Sequence, residues 1–197
     1  MQTNEETKTQ TIEIHAGLDR GAWDRIVSAA GAVIAVVFIV VGGLGIYGGN
    51  FGRDNVQERL TPEHISFPPA DAMSPEEVAA VGRYAGQQVD TGPEAEAFSR
   101  YIAGHLQFIN EGKTYSETSA AARVEGLDAA TAADLQVKAD TLFKGETLRS
   151  ILLNAYGWWT VATIAMYVGI AMILAGLALA VFSGLGFRHA RRVSLAG

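Results

Sequence analysis

Two long runs without a charged residue dominate the pattern of apolar and polar positions along the chain. The first covers residues 26–47, which is 22 residues, and the second covers residues 151–187, which is 37 residues. As helices that rise about 1.5 Å per residue, they would measure about 33 Å and about 55 Å. The hydrocarbon core of a bilayer is about 30 Å thick. We therefore predict two transmembrane helices, because a helix satisfies its own backbone hydrogen bonds in lipid.

The second run is too long for the hydrocarbon alone. An aromatic cluster at Tyr156, Trp158 and Trp159 is typical of a membrane interface. We expect residues 160–181 to fill the lipid and the residues before Tyr156 to continue the same helix outside it. The first run has a competing interpretation as a cleaved signal peptide, but it is longer than the usual apolar stretch of about 7–15 residues. The uncleaved anchor is therefore preferred.

Basic residues close to the two runs predict the orientation. Six lie on the side of the termini and four on the side of the middle segment: Lys8, Arg20, Arg25, Arg188, Arg191 and Arg192 against Arg53, Arg59, Lys144 and Arg149. Lys and Arg near membrane spans favour the cytoplasmic side. We therefore expect both termini in the cytoplasm and residues 48–150 outside the plasma membrane.

The middle segment, residues 48–150, contains nine Lys/Arg and sixteen Asp/Glu, a net formal charge of −7. All five prolines lie in its first half, which predicts a proline-rich arm at residues 55–75, extended over residues 60–70. Capping signals predict the helices that follow. These helices are expected at residues 75–88, from Thr91 to a break at residues 110–113, at residues 116–124, and from Asp128 into the second apolar run.

The predicted fold is an all-α membrane protein in which two transmembrane helices flank a small extracytoplasmic helical bundle. Residues 1–25 are expected to form a disordered cytoplasmic tail, and residues 188–197 a short basic cytoplasmic tail. Residues 26–47 and 151–187 carry the spans, and residues 48–150 form the acidic external domain.

Small residues recur at four-residue spacing in and near both runs. They are Gly45 and Gly49, Ala165 and Gly169, and then Gly176, Ala180 and Gly184. Such rows allow two helices to approach closely. One interpretation is that the two spans pack on each other. The alternative is a face for self-association or for another membrane protein.

Candidate chemistry is sparse. The chain has no cysteine and a net charge of −6, which argue against thiolate metal sites and against nucleic acid as a partner. It has no phosphate-binding glycine loop, no nucleophile elbow and no HExxH pair, so we expect no catalytic residue, cofactor or metal. The spans contain no ionisable residue, which disfavours a pump or a coupled transporter.

Histidines offer the remaining options. A metal site that uses Glu63, His64 and His105 is conceivable, but their spacing does not support it. We interpret His105 as a partly buried structural residue and His64 as a solvated loop residue. A pocket near Tyr84, His105 and Tyr115 is the candidate ligand site. In the helix that leads into the second span, Glu146 and Arg149 are spaced to form an ion pair.

Four strings resemble a family of uncharacterised two-span membrane proteins from actinobacteria. They are residues 84–89 (YAGQQV), 112–116 (GKTYS), 145–149 (GETLR) and 152–156 (LLNAY), and the resemblance covers most of residues 55–187. It implies a two-span topology in the cell membrane and carries no activity, ligand or catalytic residue.

The sequence thus favours a non-catalytic membrane protein with the bilayer as one partner. It would act as an accessory or scaffolding subunit, bound to another membrane protein or to itself. The alternative is an extracytoplasmic module that binds a small ligand or metal.

Overall fold

The computed structural model describes residues 20–194, and this part of the chain is helical. Five α-helices follow one another: α1 (Arg20–Leu60), α2 (Pro75–Val81), α3 (Gly92–Ile109), α4 (Tyr115–Ala121) and α5 (Ala129–Ser194). Within residues 20–194 the β pairing is limited to one antiparallel bridge between Ser66 and Gln88. The all-helical prediction is therefore confirmed for the described chain. Most of the predicted N-terminal tail, and residues 195–197, lie outside the described residues.

The two apolar runs lie in the two long helices. Helix α1 has 41 residues and α5 has 66, and both are long and apolar enough to cross a membrane. Helix α5 begins just after Asp128, as predicted, and continues unbroken through the second apolar run. The side chain of Asp128 accepts hydrogen bonds from the backbone amides of Ala130 and Thr131, at 3.1 and 2.9 Å.

Reciprocal capping starts the three shorter helices. Ser74 precedes α2, Thr91 precedes α3 and Thr114 precedes α4, and each faces a glutamate three residues on. In each capping box, the glutamate accepts a hydrogen bond from the backbone of the cap residue. The predicted helix starts after Ser74 and Thr91 are confirmed. The last short helix begins and ends earlier than predicted, at Tyr115 and Ala121 in place of residues 116 and 124.

Two predicted boundaries are wrong. The helix expected over residues 75–88 ends at Val81 and continues as a 3-10 turn to Tyr84. The chain then turns through Gly86, whose φ of +71° suits glycine, so that Gln88 can pair with Ser66. The arm expected to be extended from residue 60 is helical to Leu60 and forms a 3-10 turn at Thr61–Glu63.

The described residues form two compact units. One, called here the apolar unit, consists of residues 20–47 and 166–194, and the other, the helical domain, is Gly48–Ala165. The helical domain has its own core, which includes the buried side chains of Val56, Leu60, Phe67, Val81, Val89 and Leu152. The end of α1, the arm, α2, α3 and the middle of α5 all contribute to the domain.

Candidate functional site

Backbone contact joins α1 and α5 inside the apolar unit. A Cβ atom added at Gly169 would lie 2.5 Å from the carbonyl oxygen of Gly42, and one at Gly176 would lie 2.9 Å from that of Ala35. Such distances leave no room for a side chain. The interpretation that the two predicted spans pack on each other therefore agrees with the geometry of this unit.

The small residues at this contact recur every seven positions. On α1 the buried positions are Ser28, Ala35 and Gly42, and on α5 they are Gly169, Gly176, Ser183 and Ala190. Seven-residue spacing keeps one narrow seam of each helix against the other. Of the predicted rows, Gly169 and Gly176 are buried at this seam, whereas Ala180 and Gly184 are exposed. Gly45 lies beside Gly169, and Gly49 is buried in the helical domain.

The outer faces of both helices in the apolar unit carry large exposed apolar side chains. In the most apolar windows of the two long helices, only 17% and 11% of the residues are buried. The exposed members include Val33, Val36, Val37, Val40, Leu174, Leu177 and Val181. A core helix of a soluble protein would bury most of these side chains.

Tyr84 and His105, two of the three predicted ligand residues, lie at opposite ends of an aromatic row. Tyr84 stacks on Phe67 with a centroid distance of 5.4 Å, and Phe67 meets Phe98 edge-on at 5.1 Å. Tyr101 follows Phe98, and His105 packs on Tyr101 at 4.5 Å. Because Phe67 is buried in the domain core, this row is a packing feature and not a cavity wall.

The side chain of His105, expected to be partly buried, is 47% exposed, so about half of it is covered. Its Nε2 atom lies 3.4 Å from Oε1 of Glu77, and its Nδ1 atom lies 3.1 Å from the carbonyl oxygen of Tyr101. The pKa of Glu77 lies below its ordinary value, first because the backbone amide of Ser74 donates a hydrogen bond to it, and less because of His105. His64 is exposed, as predicted, with a positive φ of 51°.

Tyr115, the third predicted ligand residue, lines a separate cleft of about 360 Å³. Its ring packs against Phe143 at 5.7 Å, and the same cleft is lined by Lys113, Glu146 and Arg149. The predicted Glu146–Arg149 pair is present, with Nη1 of Arg149 at 2.7 Å from Oε1 of Glu146. Arg149 also donates from Nε to the carbonyl oxygen of Ser99 at 3.2 Å, so it ties α5 to α3.

Among residues 20–194, no group of three or more His, Cys, Asp or Glu side chains is placed to hold a metal ion. Glu63, His64 and His105 are therefore not brought together as a metal site. Tyr84 and His105 lie on the aromatic row, whereas Tyr115 lines the smaller cleft. The three residues therefore do not form one pocket.

A cleft of about 1000 Å³ in the helical domain was not anticipated from the sequence. It lies between the last three turns of α1 and the middle of α5. At one end its walls are apolar or small, with Gly48, Phe51, Val161 and Ala165. The close approach of Gly52 to Ala162, where an added Cβ would lie 2.8 Å from Cβ of Ala162, sets the helix separation at that end.

The other end of this cleft carries polar groups: Asn55, Arg59, Glu63 and Asn154. Arg59 donates from Nε to Oδ1 of Asn55 at 3.1 Å, which fixes the guanidinium along the helix. Arg59 and Glu63 are both exposed, and within the described chain they do not form an ion pair with each other. Apolar residues line this end too, among them Leu60, Ile65 and Leu148, so the two ends of the cleft differ in the polar groups that this end adds.

Apolar side chains are also exposed on the surface of the helical domain. Phe108, near the end of α3, is 89% exposed, and Val124, Val137 and Phe143 are each more than half exposed.

No family model, no curated protein and no solved structure matches this chain. What the fold defines is an all-helical protein with two helices long and apolar enough to cross a bilayer. The resemblance to two-span membrane proteins of actinobacteria remains a prediction.

Proposed function

We propose that this chain is a non-catalytic integral membrane protein of the plasma membrane. Its two long apolar helices cross the bilayer, both termini lie in the cytoplasm, and residues 48–150 lie outside. The observation that carries this proposal is the exposure of large apolar side chains all along both helices of the apolar unit. Lipid is the solvent in which such surfaces are stable.

Within that topology, the protein acts as an accessory or scaffolding subunit of a membrane assembly. The seven-residue seam between α1 and α5 is already occupied within the chain, so a partner would meet other surfaces. The helical domain offers Phe108, 89% exposed, on an acidic module with a net formal charge of −7 over residues 48–150. Aromatic anchors of this kind dominate the binding energy of many protein interfaces.

The test uses the full chain in native membranes. The first step is extraction with alkaline carbonate, from which an integral protein stays in the membrane pellet. The second step is crosslinking in the membrane, followed by purification in mild detergent. We expect a crosslinked complex that Phe108→Glu abolishes and that Gln107→Glu, an exposed neighbour on the same helix, leaves intact. A chain that remains strictly alone, or a complex insensitive to Phe108→Glu, would count against the scaffolding role.

The alternative function is a small-ligand-binding module anchored by the two helices. The cleft of about 1000 Å³ favours it, because pockets for small molecules commonly measure about 300–1000 Å³. Thermal-shift screening of the full chain in detergent against metabolites and metal ions tests it. Stabilisation by one compound supports the module, and a flat response to all compounds removes it.

A further inference from the structure

The larger cleft in the helical domain is lined by residues of the two long helices, and the apolar run of α5 is longer than a bilayer needs. The uncharged run of α5 covers residues 151–187, about 55 Å of helix, against about 30 Å of hydrocarbon. Its first residues, Ile151 and Trp158 among them, line the cleft and are 59% and 63% exposed. Large apolar side chains thus lie outside the expected span, along an open groove.

We infer that this cleft holds one acyl chain of a membrane phospholipid, with the phosphate of its headgroup on Arg59. The inference rests on the proposed membrane topology and names the ligand class of the cleft. The acyl chain covers the apolar side chains that would otherwise meet water. Gly48 immediately follows the first expected span and Ala165 lies within the second, so the apolar end of the cleft is the end nearest to the lipid along the chain.

The dimensions of the cleft fit an acyl chain. From Gly48 to Arg59 helix α1 advances eleven residues, or about 16 Å. One leaflet of the hydrocarbon core is about 15 Å deep, which is the depth that a lipid tail spans in the bilayer. An acyl chain at the apolar end therefore places its headgroup near Arg59.

The polar end of the cleft fits a zwitterionic headgroup. The Nε atom of Arg59 is held by Asn55 at 3.1 Å, which leaves the Nη edge of the exposed guanidinium for a phosphate. The carboxylate of Glu63 lines the same end. It would repel a purely anionic headgroup and attract an ammonium group. We therefore expect the occupant to be an amine-bearing phospholipid of the phosphatidylethanolamine type.

The test is native mass spectrometry of the full chain in mild detergent, after carbonate extraction has established that it is an integral protein. Palmitoyl-oleoyl phosphatidylethanolamine is the probe, and the diacylglycerol with the same chains is the comparison. We expect one tightly retained phospholipid per chain and weaker retention of the diacylglycerol. Arg59→Gln should reduce phospholipid retention about tenfold and abolish the preference. Lys144→Gln, which removes an exposed basic residue outside the cleft, should change neither.

A second pair of variants tests whether the cleft itself holds the lipid, without touching the domain core. Asn154→Phe places a ring in the cleft at an exposed position and should reduce retention of both lipids. Leu153→Phe, the exposed neighbour that does not line the cleft, should bind as the parent does. Melting curves by circular dichroism establish that each variant is folded.

Two results overturn the inference. One is a carbonate-resistant protein that retains no lipid, and the other is an Asn154→Phe variant that retains lipid as well as the Leu153→Phe variant does. In both cases the membrane topology stands. A protein that carbonate releases from membranes contradicts the proposed function itself, so the two failures are distinguishable.

Discussion

Asn110 is the residue that holds the turn between α3 and α4 together. Its side chain is only 5% exposed, and its Nδ2 atom donates to the carbonyl oxygen of Lys113 at 3.0 Å and to Oγ1 of Thr118. Thr118 is fully buried and donates to the carbonyl oxygen of Thr114 at 2.9 Å. One amide therefore satisfies polar groups on both sides of the turn.

Replacing Asn110 by alanine should lower the free energy of unfolding by about 1–3 kcal/mol, because buried acceptors lose their donor. The measurement is urea unfolding of the full chain in detergent, followed by circular dichroism. Asn50→Ala, at an exposed position of α1, is the control and should stay within about 0.5 kcal/mol of the parent. Equal stability of the two variants would show that the turn does not depend on this network.

Three carboxylates at helix starts should make the helical domain sensitive to acid: Glu77, which is partly buried, and Glu117 and Asp128, which are exposed. The pKa values of Glu77 and Glu117 lie below their ordinary value, because the backbone amides of Ser74 and Thr114 donate hydrogen bonds to them. The pKa of Asp128 is also lowered, first by the hydroxyl of Thr131 and then by its backbone amide. The ionised carboxylates are thus favoured in the folded state.

Each of these carboxylates has a lower pKa in the folded state than in the unfolded state. The folding stability that it contributes is therefore fully present when the pH is above the unfolded-state pKa. This stability is lost as the pH falls through the folded-state pKa values. We expect the melting temperature of the full chain in detergent to fall between about pH 5 and pH 3. The triple variant E77Q/E117Q/D128N should show a flatter dependence, because its amides remain uncharged. The double variant E111Q/E125Q changes two exposed turn residues and is the control. Its melting temperature should depend on pH as the parent's does. A triple variant with that same pH dependence would refute this account.

At the scale of elements, local signals predicted where helices begin better than where they end. The boxes Ser74 to Glu77 and Thr91 to Glu94 each lie within four residues, so the sequence displays the whole interaction. The end of α2 depends on the bridge between Ser66 and Gln88, which are 22 positions apart in the sequence. No window of local sequence contains that pairing, and the predicted helix therefore ran past Val81.

Packing of the two long helices was one of the interpretations of the sequence, but the seven-residue repeat of their seam was not identified, for a related reason. Glycine and alanine are so frequent in both apolar runs that several spacings are present at once. The register of two antiparallel helices, set by contacts such as Gly42 with Gly169, decides which spacing is used. Of the predicted four-residue rows, Gly169 and Gly176 lie in the seam, whereas Ala180 and Gly184 are exposed.

An engineered disulfide tests this seam. A Cβ atom at Gly31 would lie 3.8 Å from Cβ of Ser183, close to the average Cβ separation of about 3.8 Å in disulfides. We expect the double variant G31C/S183C to form an intramolecular disulfide in native membranes under mild oxidation. Maleimide–polyethylene glycol is then added in denaturing detergent, which exposes thiols that lipid would shield. It should label neither cysteine, and the chain has no other cysteine.

The matched control is G43C/S183C, because a Cβ at Gly43 would have no neighbour within 4 Å. Both of its thiols should be labelled under the same denaturing conditions. Two reactive thiols in G31C/S183C would disprove the seam. A disulfide-linked dimer in place of the internal bridge would assign the contact to two copies of the chain.

At the scale of the whole molecule, the sequence predicted the all-helical class and the two long apolar helices but not the larger cleft. Length and lack of charge are visible in the residues 26–47 and 151–187 themselves. The cleft needs Phe51 and Asn55 on one helix to face Trp158 and Val161 on another, about a hundred positions later in the chain. The candidate ligand residues Tyr84, His105 and Tyr115, by contrast, all carry rings. In the structure the rings of Tyr84 and His105 pack against other aromatic rings of the domain.

The central claim is that α1 and α5 cross the lipid and hold the acidic segment on the outer side. Single cysteines in this cysteine-free chain test it most directly, through labelling of intact cells with a membrane-impermeant maleimide. Ser116→Cys, at an exposed position of α4, should be labelled before lysis, whereas Ser194→Cys should be labelled only after the cells are opened. Labelling of Ser194→Cys in intact cells, with Ser116→Cys protected until lysis, would contradict the proposed orientation.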